Sequence, residues 1–202
     1  MRVILVLGLC ACWKTTNQEA AYDTALSSAS PTDTSVPDSG PSPSDSSEPD
    51  PLESIDPSTL PAGQDPCRDP VIGRVQDITD GDTFKVQTGR GVERVRMIGI
   101  DTPEVDHTGP DDECFGEEAS EFLDEQIGDG LVWLTFDAEC DDRYDRTLAY
   151  VHTMDGFVQR QVLQAGMGFA YTVSPNNSFS SMFSSDESSA RAAGQGLWGE
   201  CN

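Results

Sequence analysis

The composition of the chain changes abruptly near Cys67. Residues 1–66 contain long runs of Ser, Pro, Asp and Thr with few large apolar side chains, and such a segment buries too little surface to offset the entropy of ordering it. Residues 67–202 instead alternate apolar stretches with glycines, and these 136 residues suffice for one core. We therefore predict one folded domain over 67–202, preceded by a disordered acidic linker over 13–66.

The first twelve residues are typical of an export signal. Residues 3–9 form an apolar run that is too short to cross a bilayer but right for the core of a signal peptide. The segment 9–12 resembles a bacterial lipoprotein processing box, in which Cys12 would be acylated. An ordinary cleaved signal is the alternative. We expect an exported protein, either secreted or attached to the cell surface by that lipid alone.

Four cysteines fall within the predicted domain, and an even number fits an oxidising compartment. Their spacing contains no CxxC pair, which argues against a structural zinc site. Of the three possible connectivities we favour Cys67 with Cys201, which would tie the two ends of the domain, and Cys114 with Cys140, which would tie two loops.

Charge limits the ways in which this chain could bind a polyanion. The formal net charge is -24, with 2 basic and 10 acidic groups in residues 1–66 and 10 basic and 26 acidic groups in residues 67–202. Lys and Arg normally supply the non-specific affinity for nucleic acid, and the sequence has no basic patch. This argues against tight duplex binding, and any contact with nucleic acid must then be local, through a few arginines and a bound cation.

Hydrophobic periodicity predicts short strands in the first part of the domain and helices mostly in the second. A helix is expected after the third strand, and further helices at the end. This order favours an α+β fold, a five-stranded barrel of the oligonucleotide-binding (OB) type with three packed helices. The predicted strands are 71–77, 83–88, 92–100, 131–137 and 147–154, and the predicted helices are 115–127, 157–165 and 180–193.

Acidic side chains occur at two turns that the predicted hairpin would bring together. Asp82 lies in the turn before the second strand, and Asp101 follows the third strand with Glu104 close behind. Either aspartate alone is typical of ordinary turn chemistry. Together they would converge on one rim of the barrel, where three acids need a cation.

Arginines with two possible roles lie near these acids in the sequence. Arg96 stands between the two aspartates, and Arg143 and Arg146 flank Tyr144. In an acidic domain such arginines can simply pair with carboxylates, but a guanidinium is also well shaped to hold phosphate bidentately. Arg143 is therefore a candidate substrate-binding residue.

Three segments, in register with one another, resemble the staphylococcal nuclease family. They are residues 80–83 (DGDT), 96–104 (RMIGIDTPE) and 144–150 (YDRTLAY), and the likeness extends over roughly 71–199. The resemblance implies that the side chains of Asp82 and Asp101 and the backbone carbonyl of Thr102 bind Ca²⁺. It also implies that Glu104 orients or deprotonates the attacking water.

The same resemblance assigns roles to residues that would contact nucleic acid. Arg96 and Arg146 would hold the scissile phosphate and stabilise the charge that develops on its oxygens. Tyr144 and Tyr171 would border the nucleotide, and aromatic faces suit unstacked bases of any sequence. The implied activity is calcium-dependent hydrolysis of DNA and RNA by a monomer, with single-stranded or unstacked substrate preferred.

Some residues depart from the family's usual pattern. Asp145 stands where the family usually has glycine, and Val173 stands where it usually has a second tyrosine. The acidic surface is a further departure and suggests an optimum at raised calcium or salt. Two other functions stay open: a non-catalytic OB-type module that binds nucleic acid or protein, and a calcium-stabilised surface protein. The complete set of acids and arginines favours the enzyme.

Overall fold

The computed structural model describes residues 50–105 and 113–201. Two 3-10 turns come first, and strands and helices follow along the chain. The turns are Pro51–Ser54 and Pro57–Thr59; the strands are β1 (Val71–Asp80), β2 (Thr83–Thr88), β3 (Gly91–Met97), β4 (Ile100–Asp101), β5 (Leu131–Thr135), β6 (Thr147–Thr153), β7 (Gly156–Phe157) and β8 (Phe169–Ala170); the helices are α1 (Gly116–Ile127), α2 (Val158–Gln164), α3 (Ser180–Ala193) and α4 (Leu197–Glu200).

Five of the strands close into a barrel. Strand β1 pairs antiparallel with β2 and with β5, β2 pairs with β3, and β5 pairs with β6. A parallel pairing of β3 with β6 completes the circle. The predicted α+β fold, a five-stranded OB-type barrel with packed helices, is confirmed. The short strands β4 and β8 pair separately, beside the barrel.

The barrel interior is filled by the alternating apolar side chains that predicted the strands. In β2, Phe84 and Val86 are fully buried, whereas Lys85 between them is exposed. Helix α1 buries Leu123 and Ile127, four residues apart, in the same core. The acidic residues of α1 are exposed, so that only one face of the helix packs against the protein.

Residues 50–66, predicted to be part of a disordered linker, are instead packed on the barrel. The side chain of Leu52 is only 2% exposed, and the indole N–H of Trp133 donates to the Leu52 carbonyl at 3.0 Å. The hydroxyl of Thr135 donates to the carbonyl of Pro61 at 2.6 Å. Asp50 caps the first turn through the Leu52 N–H. We call residues 50–66 the N-terminal arm; the linker prediction was wrong here because a few such contacts on β5 suffice to hold it.

Both predicted disulfide pairings were wrong. The structure joins Cys67 to Cys140, with 5.7 Å between their Cα atoms, and Cys114 to Cys201, with 6.0 Å. The reason lies in the path of the arm, because the Cys67 N–H donates to the carbonyl of Asp137 at 2.8 Å. Cys67 therefore arrives beside the loop that follows β5 and not beside the end of the chain.

The predicted signal segment 1–12, the acylation of Cys12 and the linker over 13–49 lie outside the described residues and stay predictions. Within residues 50–105 and 113–201, no helix has both the length and the apolar character needed to cross a bilayer.

Candidate active site

The turn between β1 and β2 holds a buried carboxylate. Asp82 is 1% exposed; its Oδ1 accepts a hydrogen bond from the Thr83 hydroxyl at 2.9 Å, and its Oδ2 accepts one from the Thr102 N–H at 3.1 Å. Asp80 shapes the turn by accepting the Asp82 N–H at 3.0 Å. Gly81 is needed here because a Cβ would lie 2.8 Å from both Ala119 and Thr102 side-chain atoms.

The barrel pairing brings the two predicted aspartates to the same rim. Thr83 is the partner of Arg96 across β2 and β3, and the Met97 N–H donates to the Asp82 carbonyl at 2.9 Å. The guanidinium of Arg96 then bridges both acids, with Nη1 against the Asp82 carboxylate and Nη2 donating to Asp101 at 2.5 Å. The structure thus places Asp82, Asp101 and Arg96 together, as the hairpin geometry predicts.

Negative charge exceeds positive charge at this rim. Desolvation by burial raises the pKa of Asp80, although the neighbouring Arg96 opposes the shift. Desolvation by neighbouring protein atoms, followed by the nearby Asp80 carboxylate, raises the pKa of Glu104, even though part of the Glu104 side chain reaches solvent. Burial is the main cause of both shifts; repulsion between carboxylates adds to it at Glu104, whereas Arg96 lowers both pKa values.

A groove of about 510 Å³ adjoins the acidic rim and shares Arg96 with it. Arg143, Tyr144, Arg146 and Tyr171 also line this groove. The guanidinium carbon of Arg143 lies 4.8 Å from the centroid of the Tyr144 ring, and that of Arg146 lies 5.5 Å from it. Both tyrosines are more than half exposed, which leaves aromatic surface and positive charge open to a ligand.

Asp142 holds Arg146 in the groove wall. The Arg146 Nε–H donates to Asp142 Oδ2 at 2.7 Å, and Nη2 lies 2.6 Å from the same oxygen. Although burial opposes the shift, hydrogen bonds from Arg146 and Tyr144 keep the pKa of Asp142 below its ordinary value. The carboxylate therefore stays charged and fixes the direction of the arginine.

Residues 171–176 form the facing wall and are anchored to the loop after β5. The Asn176 side chain accepts the Glu139 N–H at 2.8 Å and donates to the Glu139 carbonyl at 2.9 Å. The Tyr171 N–H donates to the Gly99 carbonyl at 3.0 Å, which joins this wall to the turn that precedes β4.

Comparison with known proteins identifies the relatives of this fold. A family model described as staphylococcal nuclease homologue matches residues 94–200, which is more than half of the chain. The chain belongs to the staphylococcal nuclease family. The matched residues include Arg96, Asp101, Glu104 and Arg146, whereas Asp82 precedes them.

Several curated proteins are similar to the chain. The SPbeta prophage-derived endonuclease YokF of Bacillus subtilis is 36% identical over 121 residues, which cover 59% of this chain and 41% of that protein. A thermonuclease of Staphylococcus intermedius is 31% identical over 61% of this chain and 74% of its own length. Endonuclease YncB of Bacillus subtilis is 34% identical over 59% of this chain and 57% of its own length.

Of the two departures from the family's pattern, Val173 lines the groove, and Asp145 lies between the groove residues Tyr144 and Arg146. Asp145 has a φ of 57°, in the left-handed region, which explains why glycine is usual there. Aspartate tolerates this conformation better than most residues. Val173 is 53% exposed and lines the groove, so it offers a smaller surface where the family usually has a tyrosine.

Oxygen donors of the kind that calcium prefers are present at the rim. Asp82 and Asp101 supply hard carboxylate oxygens, and the hydroxyl of Thr102 is buried there without a hydrogen-bond partner. In the described parts of the chain, no three acidic, histidine or cysteine side chains already surround a common point. The guanidinium of Arg96 lies between the two carboxylates instead, which shows that this position accepts positive charge.

Sequence reasoning missed three acids that shape the site. Asp80 belongs to the first of the three motifs, but sequence reasoning assigned it no role of its own in the site. Asp142 lies four residues before Arg146, a spacing that could have suggested the ion pair. Glu113, which bonds to the backbone of Glu104, carried no signal, because a contact between residues outside any helix or strand follows no period.

Proposed function

We propose that this domain is a calcium-dependent phosphodiesterase that cleaves DNA and RNA, with single-stranded or unstacked substrate preferred. One observation carries the proposal: Asp82 and Asp101 meet Arg96 at the rim of a groove that also contains Arg146. Hydrolysis of a phosphodiester needs negative charge to hold a cation and positive charge to hold the phosphate. The acidic rim supplies the negative charge, and the arginines of the adjoining groove supply the positive charge.

The carboxylates of Asp82 and Asp101 and the backbone carbonyl of Thr102 would hold the calcium ion. When bound, the ion supplies positive charge that offsets the charge developing on the phosphate oxygens. Asp82 is suited to this role because hydrogen bonds from Thr83 and Thr102 fix its carboxylate in one orientation. A fixed ligand loses little entropy on binding.

Glu104 is the proposed general base, since its carboxylate lies near the acidic rim and reaches solvent, from which a water can approach. It would accept a proton from that water as the water oxygen attacks phosphorus. The bond from phosphorus to one sugar oxygen breaks, and this leaving oxygen takes a proton from solvent. Arg96 and Arg146 would donate hydrogen bonds to the phosphate oxygens, where the charge increases in the transition state. Each arginine has a carboxylate partner in the structure, so phosphate must compete with those partners.

The groove favours a nucleotide whose base is not stacked in a duplex. The exposed rings of Tyr144 and Tyr171 offer flat surfaces for a base of any sequence. Arg143 stacks on Tyr144 and, among the described residues, has no carboxylate within ion-pair distance. It is therefore available to a phosphate next to the scissile one.

The first experiment incubates the oxidised full chain with single-stranded DNA, duplex DNA and RNA, in calcium or in a chelator. We expect short products in calcium only, formed faster from single strands. Binding of nucleic acid without cleavage would instead assign the domain to the OB-type binding modules. Calcium binding without either binding or cleavage of nucleic acid would indicate a calcium-stabilised protein.

Two variants test the assigned roles. Glu104→Gln and Arg146→Ala should each lower kcat by roughly 100-fold or more, because each group acts mainly in the transition state. Circular dichroism should show an unchanged fold, and the exposed substitution Val92→Ala serves as a control with normal kcat. Near-normal rates in either variant would contradict the assignment for that residue.

We further propose that the protein is exported and that Cys12 carries a lipid. The two disulfides support export, because such bonds persist mainly in oxidising compartments. The mass of the N-terminal peptide from cell-purified protein tests the lipid: an unmodified Cys12 would rule it out without affecting the assignment of the domain.

A further inference from the structure

The main chain of Glu104 is hydrogen-bonded to Glu113, nine residues further along the chain. The Glu104 N–H donates to Glu113 Oε2 at 3.2 Å, and the Glu113 N–H donates to the Glu104 carbonyl at 3.1 Å. The two residues therefore exchange hydrogen bonds in both directions. One of these bonds depends on the Glu113 side chain, which is exposed.

The start of α1 packs directly against this pair. The Gly116 N–H donates to the Glu113 carbonyl at 2.9 Å. A Cβ on Gly116 would lie 2.5 Å from the Glu104 carbonyl oxygen, so any larger residue would push the two segments apart. Glu104 is thus fixed against the first turn of a helix that is itself held by the buried side chains of Leu123 and Ile127.

A disulfide fixes Glu113 from its other side. Cys114, the next residue, is bonded to Cys201. Cys201 donates its N–H to the Leu197 carbonyl at 2.9 Å, and the Leu197 N–H donates to the Gly166 carbonyl at 2.9 Å. The C-terminal helix α4 thereby anchors the segment that holds Glu104.

We propose that Glu113 is a positioning residue for the reaction, and that the Cys114–Cys201 disulfide keeps it in place. This inference rests on the proposed function, in which Glu104 is the general base. A carboxylate on an exposed loop contributes little to stability by accepting one backbone hydrogen bond. Its effect on catalysis can be much larger, because a displacement of about 1 Å in a catalytic group can cost roughly 100-fold in rate.

The test compares Glu113→Ala with Glu113→Gln in the oxidised full chain, with calcium and single-stranded DNA. Alanine removes the acceptor for the Glu104 N–H and should lower kcat roughly 10- to 100-fold with little change in KM. Glutamine keeps a side-chain oxygen that can accept the same bond and should retain most of kcat. Leu52→Ala, which weakens the fold far from the groove, controls for stability and should leave kcat unchanged.

A second comparison separates positioning from a general structural effect. In the Glu104→Gln background, Glu113→Ala should cause no further loss, because the group that it positions is already inactive. An equal loss in both backgrounds, or a normal kcat for Glu113→Ala, would overturn the proposal.

Hydrogen exchange tests the same inference without any activity. In calcium-free protein, the Glu104 amide should exchange faster in Glu113→Ala and in the double variant Cys114→Ala, Cys201→Ala than in the parent or Glu113→Gln. Equal exchange in all four would overturn the proposal. If the parent cleaves no nucleic acid, the proposed function fails, and the exchange rates alone then decide whether Glu113 positions Glu104.

Discussion

Each of the two arginines assigned to the phosphate is already paired with a carboxylate. Arg96 contacts Asp82 and Asp101, and Arg146 contacts Asp142. Such pairs orient a guanidinium before the substrate arrives, which reduces the entropy that is lost on binding. They also compete with phosphate for the same N–H donors. We therefore expect the two guanidinium groups to be well oriented but to bind phosphate more weakly. This suits an enzyme better than a module that only binds nucleic acid.

Asp145 adds a further negative charge beside Arg146, and its substitution tests the effect of that charge. Asp145→Asn removes the charge, and asparagine also tolerates the left-handed conformation at φ 57°. We expect a lower KM for single-stranded DNA at low salt, with the difference fading above about 0.1 M salt as screening increases.

Asp155→Asn is the matched control for this prediction. Asp155 is exposed in the turn before β7 and does not line the groove, so its substitution changes the net charge equally without changing the site. If both variants lower KM to the same extent, the total charge matters and the position of Asp145 does not.

At the scale of elements, periodic structure could be predicted and irregular structure could not. Apolar residues alternate with polar ones in β2, and Ala119 and Leu123 are four residues apart in α1. These spacings indicate which side chains are buried, and both elements lie where they were expected. The N-terminal arm shows no hydrophobic periodicity, because Leu52 is its one buried apolar residue and a single residue cannot form a repeating pattern. Disulfide partners depend on the path of the arm in space, which no local pattern records.

The arm should contribute measurably to stability through Leu52. Leu52→Ala leaves a cavity next to Trp133 and should lower the free energy of unfolding by about 2–4 kcal/mol. Urea denaturation of the oxidised chain measures this, with Val92→Ala as a control because Val92 is 60% exposed. A change below about 0.5 kcal/mol, as for ordinary surface substitutions, would show that the arm is only loosely held.

The contact between β5 and β6 should make the fold sensitive to acid. His152 is 2% exposed, its Nε2 lies 2.9 Å from the Thr135 hydroxyl, and desolvation lowers its pKa to about 4. An unfolded chain protonates this histidine near pH 6.5, so the unfolded state binds the extra proton first. Stability should therefore fall as the pH drops from about 6.5 to 4, by up to about 3 kcal/mol.

The variant His152→Asn isolates this effect from that of the carboxylates. The difference in unfolding free energy between the parent and the variant should shrink as the pH falls through that window, because only the parent has the histidine to protonate. Parallel stability curves between pH 7 and 4 would show that His152 titrates normally in the folded protein.

At the scale of the whole molecule, the net charge of -24 should slow the association of any polyanion with the protein. Long-range repulsion acts over about 30 Å at 0.01 M salt but only about 10 Å at 0.1 M. We expect kcat/KM for single-stranded DNA to rise over this range of salt and to fall only above it, when contacts in the groove are also screened. A rate that falls steadily from the lowest salt would contradict this prediction.

The two disulfides overlap along the chain. One joins Cys67 to Cys140 and the other joins Cys114 to Cys201, so every peptide bond from 67 to 201 lies inside at least one covalent loop. A protease that cuts once anywhere in this span cannot separate the two pieces, and over 114–140 they are joined twice. A molecule cut once in this span would keep both halves of its site together, and separation of the two pieces would require reduction as well.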